Sequence, residues 1–403
     1  MIVPSKRTFP LLLSVFLISC GSASSSSSSK KPIVYEDLDY WYEEENLNDY
    51  PGNDKTKVDP ETVVLLPYSI HTKVQEAYLL SGITTAQEFA KGNKELSKPN
   101  LIILQAETEK EGTHYFEISK YEDFSTSEYF TSESSQAEIY NLEVGTKYYY
   151  RYSLEYASLK NAETFTFTTA SNAPRNLDID GITNVRDIGG YPSKLGGKIR
   201  QGLFYRGGRL NKSTREEVEI QITEKGREEL VDRLGVKEEI DLRMDESCTS
   251  EQTEYGQMRD GLIEGLHYNR FPIDWHISNQ MLGATDVISR IFTFLGDSSH
   301  YPVYIHCNIG TDRTGLICFL LESLLGLPYE NVFRDYLFSN FGDIEDNPRD
   351  YKKLTSAYYK VLISEDGDNM HQKTYNYLLS CGVSEESLDN IIDLFIEPSV
   401  KID

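Results

Sequence analysis

Apolar and polar positions alternate along this chain in two different patterns, and the change falls near residue 175. Over residues 63–169, short apolar and β-branched runs are separated by polar turns, which predicts an all-β sandwich domain over residues 61–171. Residues 77–98 depart from this pattern because they look partly helical. Over residues 176–403, strand-like runs alternate with apolar residues at helical spacing, which predicts an α/β domain with a central, largely parallel sheet.

The first twenty residues have the composition of an export signal. Basic residues Lys6 and Arg7 precede an apolar run over residues 9–18, and the small polar segment Ser19-Cys20-Gly21 follows. This order predicts a secretory signal peptide over residues 1–19, since the run is too short to remain as a membrane span.

The end of this signal also indicates an anchor. Leu17-Ile18-Ser19-Cys20 resembles the bacterial lipobox, which implies an exported bacterial lipoprotein whose Cys20 carries the lipid that holds it at the outer face of the cell membrane. A plain signal peptide with an incidental cysteine is the alternative. The serine-rich residues 22–29 and the acidic residues that follow predict a flexible tether over residues 20–60.

The charge of the chain limits its partners. With 40 Lys and Arg against 64 Asp and Glu, the net charge is −24, which disfavours nucleic acid as a partner. An anionic substrate therefore needs a local cluster of positive groups. The five cysteines are too few and too scattered for a disulfide framework, and no Cys/His spacing indicates a metal site, so we expect neither metal nor cofactor.

One segment of the β-rich region has a recognisable form. Leu142-Glu143-Val144-Gly145-Thr146-Lys147-Tyr148 resembles the tyrosine corner of the fibronectin type III family, and the resemblance implies that the Tyr148 phenol hydrogen-bonds back to the backbone. The tyrosines of the following strand are expected to pack across strands, with a ligand platform as the alternative. This domain is predicted to serve as a spacer or to contact a partner.

The α/β region contains a segment that predicts an anion site. A buried strand ends at Ile305, and His306-Cys307-Asn308-Ile309-Gly310-Thr311-Asp312-Arg313-Thr314-Gly315 leads into an apolar helix over residues 316–325. A strand, a tight loop and a helix N-terminus direct backbone N–H groups and the helix dipole at one point, where a phosphate fits.

The side chains of this loop fit nucleophilic chemistry on that phosphate. Cys307 lies where the field lowers a thiol pKa, and Arg313 returns across the loop to hold two phosphoryl oxygens. Thr314 is placed to bond the leaving sulfur, and His306 to orient the loop. The remaining predicted substrate-binding positions are Asn308, Ile309, Gly310 and Thr311.

Cys307 and Arg313 form the Cys-x5-Arg signature, and with its flanking residues the segment resembles the loop of the protein-tyrosine-phosphatase superfamily. Further segments look like a bacterial group of that superfamily, namely Asn184 to Tyr191, Gly202 to Leu210, Ile240 to Arg243 and Tyr336 to Asn340. The resemblance implies hydrolysis through a phosphocysteine intermediate, with phosphotyrosine proteins as substrates. An inositol phosphate or phosphoinositide phosphatase is one alternative, and a catalytically idle phosphate-binding or adhesion module is another. The group usually has Lys where this chain has Thr311, which disfavours substrates with extra phosphates.

Two carboxylates compete for the role of general acid, which must protonate the leaving oxygen. Asp274 lies at an expected strand end and mobile loop, and it precedes the nucleophile by 33 residues, which resembles the separation in the wider superfamily. Asp312, directly before the loop arginine, is the rival.

Four more arginines fall in the segments that carry the resemblance. They either add positive charge to the pocket or serve as buried partners of Asp187 and Asp241, and the residues are Arg186, Arg206, Arg209 and Arg243. Cys318 and Cys248 are expected to be inert thiols, with a reversible disulfide to Cys307 as the alternative.

Overall fold

The computed structural model describes residues 57–89, 95–108, 110–213, 218–244, 263–276, 279–344 and 347–397. The predicted signal peptide, the anchor Cys20, the tether up to residue 56 and Cys248 lie outside these residues. All described residues belong to one compact unit, Val34–Asp403. None of the helices in the described ranges has the length and apolar content that a membrane crossing requires.

The β-rich region forms two antiparallel sheets. Its strands are β1 (Ile102–Gln105), β2 (His114–Ser119), β3 (Glu128–Ser132), β4 (Gln136–Ile139), β5 (Lys147–Ser153) and β6 (Phe165–Thr168). One sheet has the order β3-β2-β5-β6, and the other pairs β1 with β4. Buried residues of both sheets, among them Leu104, Phe116 and Phe167, share one core. The Tyr148 hydroxyl accepts a hydrogen bond from the Glu143 N–H at 2.9 Å, as the tyrosine corner predicts, while the fibronectin type III class stays a prediction.

Residues 63–89 pack against the α/β region, although the sequence pattern placed them in the sandwich domain. Helix α1 (Lys73–Leu80) begins with a capping box at Thr72 and Gln75, and a 3₁₀ segment covers Ile83–Phe89. Tyr78 is fully buried against Phe338 and Phe341 in the core of the α/β region. The helix departs from the sandwich because its apolar residues find their partners in that core.

A six-stranded sheet carries the α/β region. Its strands are β7 (Arg175–Asn176), β8 (Arg186–Asp187), β10 (Phe204–Gly207), β13 (Glu238–Asp241), β14 (His267–Arg270) and β15 (Val303–His306), in the order β14-β13-β15-β10-β8-β7. Two further pairs lie outside it: β9 (Lys198–Ile199) with β16 (Ile396–Glu397), and β11 (Asn211–Ser213) with β12 (Val218–Ile220).

This sheet is mixed: its centre is parallel, as predicted, and one edge is antiparallel, which the sequence did not predict. Strands β14, β13, β15 and β10 are parallel, whereas β8 and β7 add antiparallel. The two antiparallel strands are only two residues long, so they leave little strand pattern in the sequence.

Helices cover the sheet. After α1 they are α2 (Glu224–Arg227), α3 (Gln280–Gly283), α4 (Thr285–Leu295), α5 (Asp312–Leu324), α6 (Tyr329–Phe338), α7 (Tyr359–Ile363), α8 (Met370–Ser380) and α9 (Glu385–Phe395). Short π-helical segments at Glu228–Arg233 and Leu354–Tyr358 continue α2 and precede α7. Helix α5 is buried along nearly its whole length, so it holds the predicted loop at its N-terminus rigidly against the core.

Candidate active site

The predicted loop lies where three parallel strands end. Strand β15 ends at His306, which is in register with Gly207 of β10 and Asp241 of β13, and α5 begins at Asp312. Ligands of α/β sheets bind at this carboxyl edge of the strands. The sequence prediction therefore put the Cys307 segment at the correct local position between strand and helix.

Every backbone carbonyl of the loop is held from outside. Cys307 O faces His306 Nδ1 at 3.0 Å, and Asn308 O accepts from Arg209 N at 3.1 Å. The next two carbonyls, those of Ile309 and Gly310, accept from Asn184 Nδ2 and Arg206 Nη2, each at 3.0 Å, and Thr311 O accepts from Gly315 N at 2.8 Å.

The opposite side of these peptide planes faces inward. Among the residues that the structure describes, the backbone N–H groups of residues 308–313 donate to no protein acceptor. Because a peptide N–H points away from its own C=O, carbonyls tied outward leave these donors for an anion inside the loop. Gly310 makes the turn possible, since its φ is +70° and a Cβ there would lie 2.2 Å from Gly207 O.

The inward-facing N–H groups of residues 308–313 are called the phosphate cradle below. Cys307 lies buried at its start, with 3% of its surface exposed. Burial acts to raise its pKa, but the Arg313 guanidinium and hydrogen bonds from the Thr314 hydroxyl and backbone N–H lower the pKa of Cys307 to about 7. The Thr314 hydroxyl is buried and has no nitrogen or oxygen partner in the described part of the chain. A large fraction of the thiol is therefore thiolate at neutral pH, and Thr314 is oriented toward it.

Arg313 stands ready to bind an anion. Its side chain is buried, and Nη1 donates to Leu242 O at 3.3 Å, the one hydrogen bond that the guanidinium makes among the described residues. Its other N–H groups are thus available to phosphoryl oxygens.

His306 lies behind the loop, as the sequence predicted. Its Nε2 lies 2.9 Å from Glu239 Oε1, and Asp241 lies 3.9 Å from Nδ1. Burial acts to lower the pKa of His306, but these two carboxylates raise it. The ligand atoms of the three residues lie within 4.8 Å of one another, a spacing that a metal ion could bridge, yet Arg243 already donates to both oxygens of Asp241. The atoms that could ligate a metal are thus already bonded to groups of the protein itself.

Asp312 sits in an ion cluster that the sequence did not reveal. Arg349 Nη2 lies 2.9 Å from Oδ2, Lys353 Nζ lies 3.1 Å from Oδ1, and the Tyr336 hydroxyl donates at 3.1 Å. Burial acts to raise the Asp312 pKa, but Arg349 and Lys353 lower it to about 2. The only sequence signal for these two cations was a basic run over residues 348–353 in an acidic chain.

Asp274 lies on the loop after β14, outside the phosphate cradle. Its carboxylate accepts from the backbone N–H of His276 at 2.8 Å and pairs with His276 Nδ1 at 3.0 Å. Its side chain is 38% exposed, beside the exposed Trp275. In the described residues no hydrogen bond or ion pair joins Asp274 to Cys307 or Arg313.

The four extra arginines bond to side chains around the loop. Arg186 and Arg206 are fully buried and both pair with Asp335, and not with Asp187, which the sequence had left open as a partner. Asp187 instead pairs with Arg175 at 3.1 Å, and Arg243 pairs with Asp241, one of the two alternatives that the sequence left open. Arg209 donates to Asn308 Oδ1 at 2.7 Å. Cys318 is fully buried, which raises its pKa and leaves an unreactive thiol.

Known phosphatases resemble part of this chain. A tyrosine-protein phosphatase homologue of Cupriavidus necator is 24% identical over an alignment of 184 positions, which covers 41% of this chain and 63% of that relative's length. The solved core catalytic domain of the PP-IP phosphatase SIW14 from S. cerevisiae is 16% identical and covers 36% of this chain and 74% of its own, with a TM-score of 0.26. P. aeruginosa TpbA is 18% identical and covers 43% and 88%, with a TM-score of 0.27. The sequence model of the tyrosine phosphatase family matches residues 177–397, more than half of the chain, and the protein therefore belongs to that family.

Proposed function

We propose that this protein hydrolyses phosphate monoesters, with phosphotyrosine proteins as substrates, through a covalent phosphocysteine at Cys307. The observation that carries the proposal is the cradle of unpaired backbone N–H groups around a buried thiol of lowered pKa. An anion bound there meets donors on one side and a sulfur nucleophile at its centre.

The first step transfers the phosphoryl group. The Cys307 thiolate forms an S–P bond while the P–O bond to the phenol breaks, and the acid gives a proton to the departing oxygen. Arg313 and the loop N–H groups hold the three equatorial oxygens, whose charge they stabilise in the transition state. Thr314 stabilises the thiolate before attack and again when it leaves.

The second step regenerates the free enzyme. Water attacks phosphorus, the S–P bond breaks with its electrons on sulfur, and the residue that donated a proton now accepts one from the water. The products are the dephosphorylated substrate and inorganic phosphate, and the thiolate is restored.

Asp274 is the proposed general acid of the first step and general base of the second. Asp312 is held as a carboxylate by two cations, and its pKa of about 2 leaves it almost without a proton to give at neutral pH. Asp274 is free of such a cluster and lies on a loop, so a change in that loop can bring it to the leaving oxygen.

Phosphotyrosine is favoured over inositol phosphates by the residue at position 311. Thr311 is buried and its hydroxyl donates to Ile309 O at 3.3 Å, so this position offers no cation to additional phosphates. An idle phosphate-binding module is disfavoured because the nucleophile, the arginine and a thiol pKa suited to attack all stand in one loop.

The location of the protein is part of the proposal. The pattern of residues 1–20 supports export as a lipoprotein with Cys20 as the anchor at the outer face of the cell membrane. Retention of the full chain in the membrane fraction, and release of a Cys20→Ser variant into the soluble fraction, would support it. Equal fractionation of the two would contradict it.

The deciding experiment is steady-state hydrolysis of a phosphotyrosine peptide and of an inositol polyphosphate by residues 32–403 with chelator present. Turnover should persist in chelator, favour the peptide and vanish in Cys307→Ser. Asp274→Asn should lose about 10²-fold in kcat on the peptide, the usual share of a general acid. Activity that survives in Cys307→Ser would contradict the mechanism, and a faster rate on the inositol polyphosphate would transfer the proposal to that substrate class.

A further inference from the structure

The family match begins at residue 177, yet residues 95–100 contact the structure around the phosphate loop. Leu96 N donates to Phe341 O at 2.7 Å, and Gln75 Nε2 donates to the carbonyls of Leu96 and Lys98 at 2.8 and 2.9 Å. Asn176 Nδ2 donates to Ser97 O at 3.0 Å. These bonds fix the backbone on both sides of Ser97.

Ser97 in turn touches the residue that holds the loop. Its side chain is buried, its hydroxyl donates to the Glu95 carboxylate, and its oxygen accepts from the backbone N–H of Asn184 at 3.1 Å. Asn184 is fully buried in a left-handed conformation with φ of +62°, which is uncommon for a residue with a side chain. Its Nδ2 donates to Ile309 O at 3.0 Å, and its Oδ1 accepts from Arg186 at 2.7 Å.

We propose that Ser97 is a positioning residue for the phosphatase reaction, acting through Asn184 on the Ile309 carbonyl. The inference rests on the proposed function, because the loop it positions is the phosphate cradle. Without the Ser97 oxygen, the buried Asn184 N–H has no acceptor and its left-handed backbone is no longer tied in place. The Asn184 amide then releases the Ile309 carbonyl, and that peptide plane can turn its oxygen, in place of an N–H, toward the bound anion.

The test measures binding of inorganic phosphate by calorimetry, in the full chain carrying Cys307→Ser, so that turnover does not enter. Adding Ser97→Ala should weaken phosphate binding roughly tenfold, on the scale of one lost buried hydrogen bond. Ser69→Ala is the matched control. Ser69 is also a buried serine, and its hydroxyl bonds to residues close to it in the chain, His71 O and the Glu76 carboxylate. Among the described residues it has no bond to Asn184. Phosphate affinity should change less than twofold in this control.

A second variant separates the link from a general loss of stability. Asn184→Gly keeps the backbone N–H and suits φ of +62°, yet it lacks the amide that holds Ile309 O. It should weaken phosphate binding at least tenfold, and the double variant with Ser97→Ala should bind no more weakly than Asn184→Gly alone, since both changes break one chain of contacts.

The outcomes distinguish the two proposals. Unchanged phosphate affinity in Ser97→Ala or Asn184→Gly, or a fully additive loss in the double variant, would overturn the role of Ser97 while leaving the cradle intact. Equal losses in Ser97→Ala and Ser69→Ala would likewise mean that stability alone is responsible. Absence of phosphate binding by the Cys307→Ser parent would overturn the proposed function, and this inference with it.

Discussion

Two ion clusters hold the loop, and they have similar charges in different surroundings. The inner cluster is Arg186, Arg206, Asp335 and Glu322; the outer cluster is Asp312, Arg349 and Lys353. In the inner one, burial and the neighbouring Asp335 carboxylate raise the Glu322 pKa well above its ordinary value, which favours the neutral acid and leaves the two guanidinium groups facing one carboxylate. The outer cluster also has one positive charge in excess, but Lys353 is 36% exposed and Asp312 25%.

The difference in burial assigns different roles. Water and salt cannot screen the inner cluster, and Arg206 donates from it directly to Gly310 O, so it fixes the shape of the loop. The outer cluster is partly solvated and contacts the loop through one carboxylate, so it adjusts the charge around Cys307. A strongly acidic chain thus gathers the local positive charge that its sequence requires for an anionic substrate.

Breaking the inner cluster should have the largest effect. Asp335→Ala leaves two buried guanidinium groups without their carboxylate, which should cost about 3–5 kcal/mol in the free energy of unfolding. Urea denaturation measures it. The control is Asp312→Ala in the outer cluster, where we expect no more than about 2 kcal/mol. Equal costs would mean that burial does not separate the two clusters.

The dependence of the unfolding free energy on pH, at acid pH, tests the comparison further. Folding lowers the Asp312 pKa to about 2, so its ion pairs contribute stability above the unfolded pKa near ~3.9 and lose it as the pH falls toward 2. The unfolding free energies of the wild type and Asp312→Asn should differ by about 2 kcal/mol at pH 6 and converge near pH 2. A gap that stays constant over this range would show that the lost contribution is not the charge of Asp312.

The smallest expected effect is on the pKa of the Cys307 thiol. Asp312 acts to raise the Cys307 pKa, and the cations paired with it offset that. Arg349→Met should therefore raise the thiol pKa by about half a unit, and Asp312→Asn should lower it, as read from the pH dependence of iodoacetamide alkylation. Shifts of the same sign in both variants would contradict this account.

Salt provides the matching control for those shifts. Because the outer cluster is partly exposed, raising the ionic strength from about 0.05 to 1 M should reduce the difference between Arg349→Met and wild type. A difference that does not respond to salt would place the outer cluster in the same class as the inner one.

The sequence predicted the parts of the site that are contiguous in the chain. Cys307, Arg313 and Thr314 stand in one loop between a buried strand and a buried helix, and each lies where the spacing placed it. Their roles stay predictions until turnover is measured. The choice between Asp274 and Asp312 stayed open in the sequence because it depends on Arg349 and Lys353, whose pairing requires the folded chain.

The parts that were missed depend on distant contacts. Asp335 meets Arg186 across 149 positions, and Asn184 meets Ile309 across 125, so no local period marks either pair. The antiparallel edge of the sheet was missed for a different reason, because β7 and β8 are only two residues long. Helix α1 did leave a helical pattern, but only the structure shows which core it joins.

The contacts of Tyr78 show that residues well before the family match belong to the core of the α/β domain. Its ring packs edge-to-face against Phe338 and Phe341, and Arg334 donates to Tyr78 O and Ser81 O, so these early residues are built into the same core as α6. The two antiparallel sheets, which have a core of their own, are thus an insertion between residues 100 and 175 of a domain that starts near Val63. A fragment cut at the start of the family match would discard part of its own interior, whereas the inserted sheets are the piece that a shorter relative could lack.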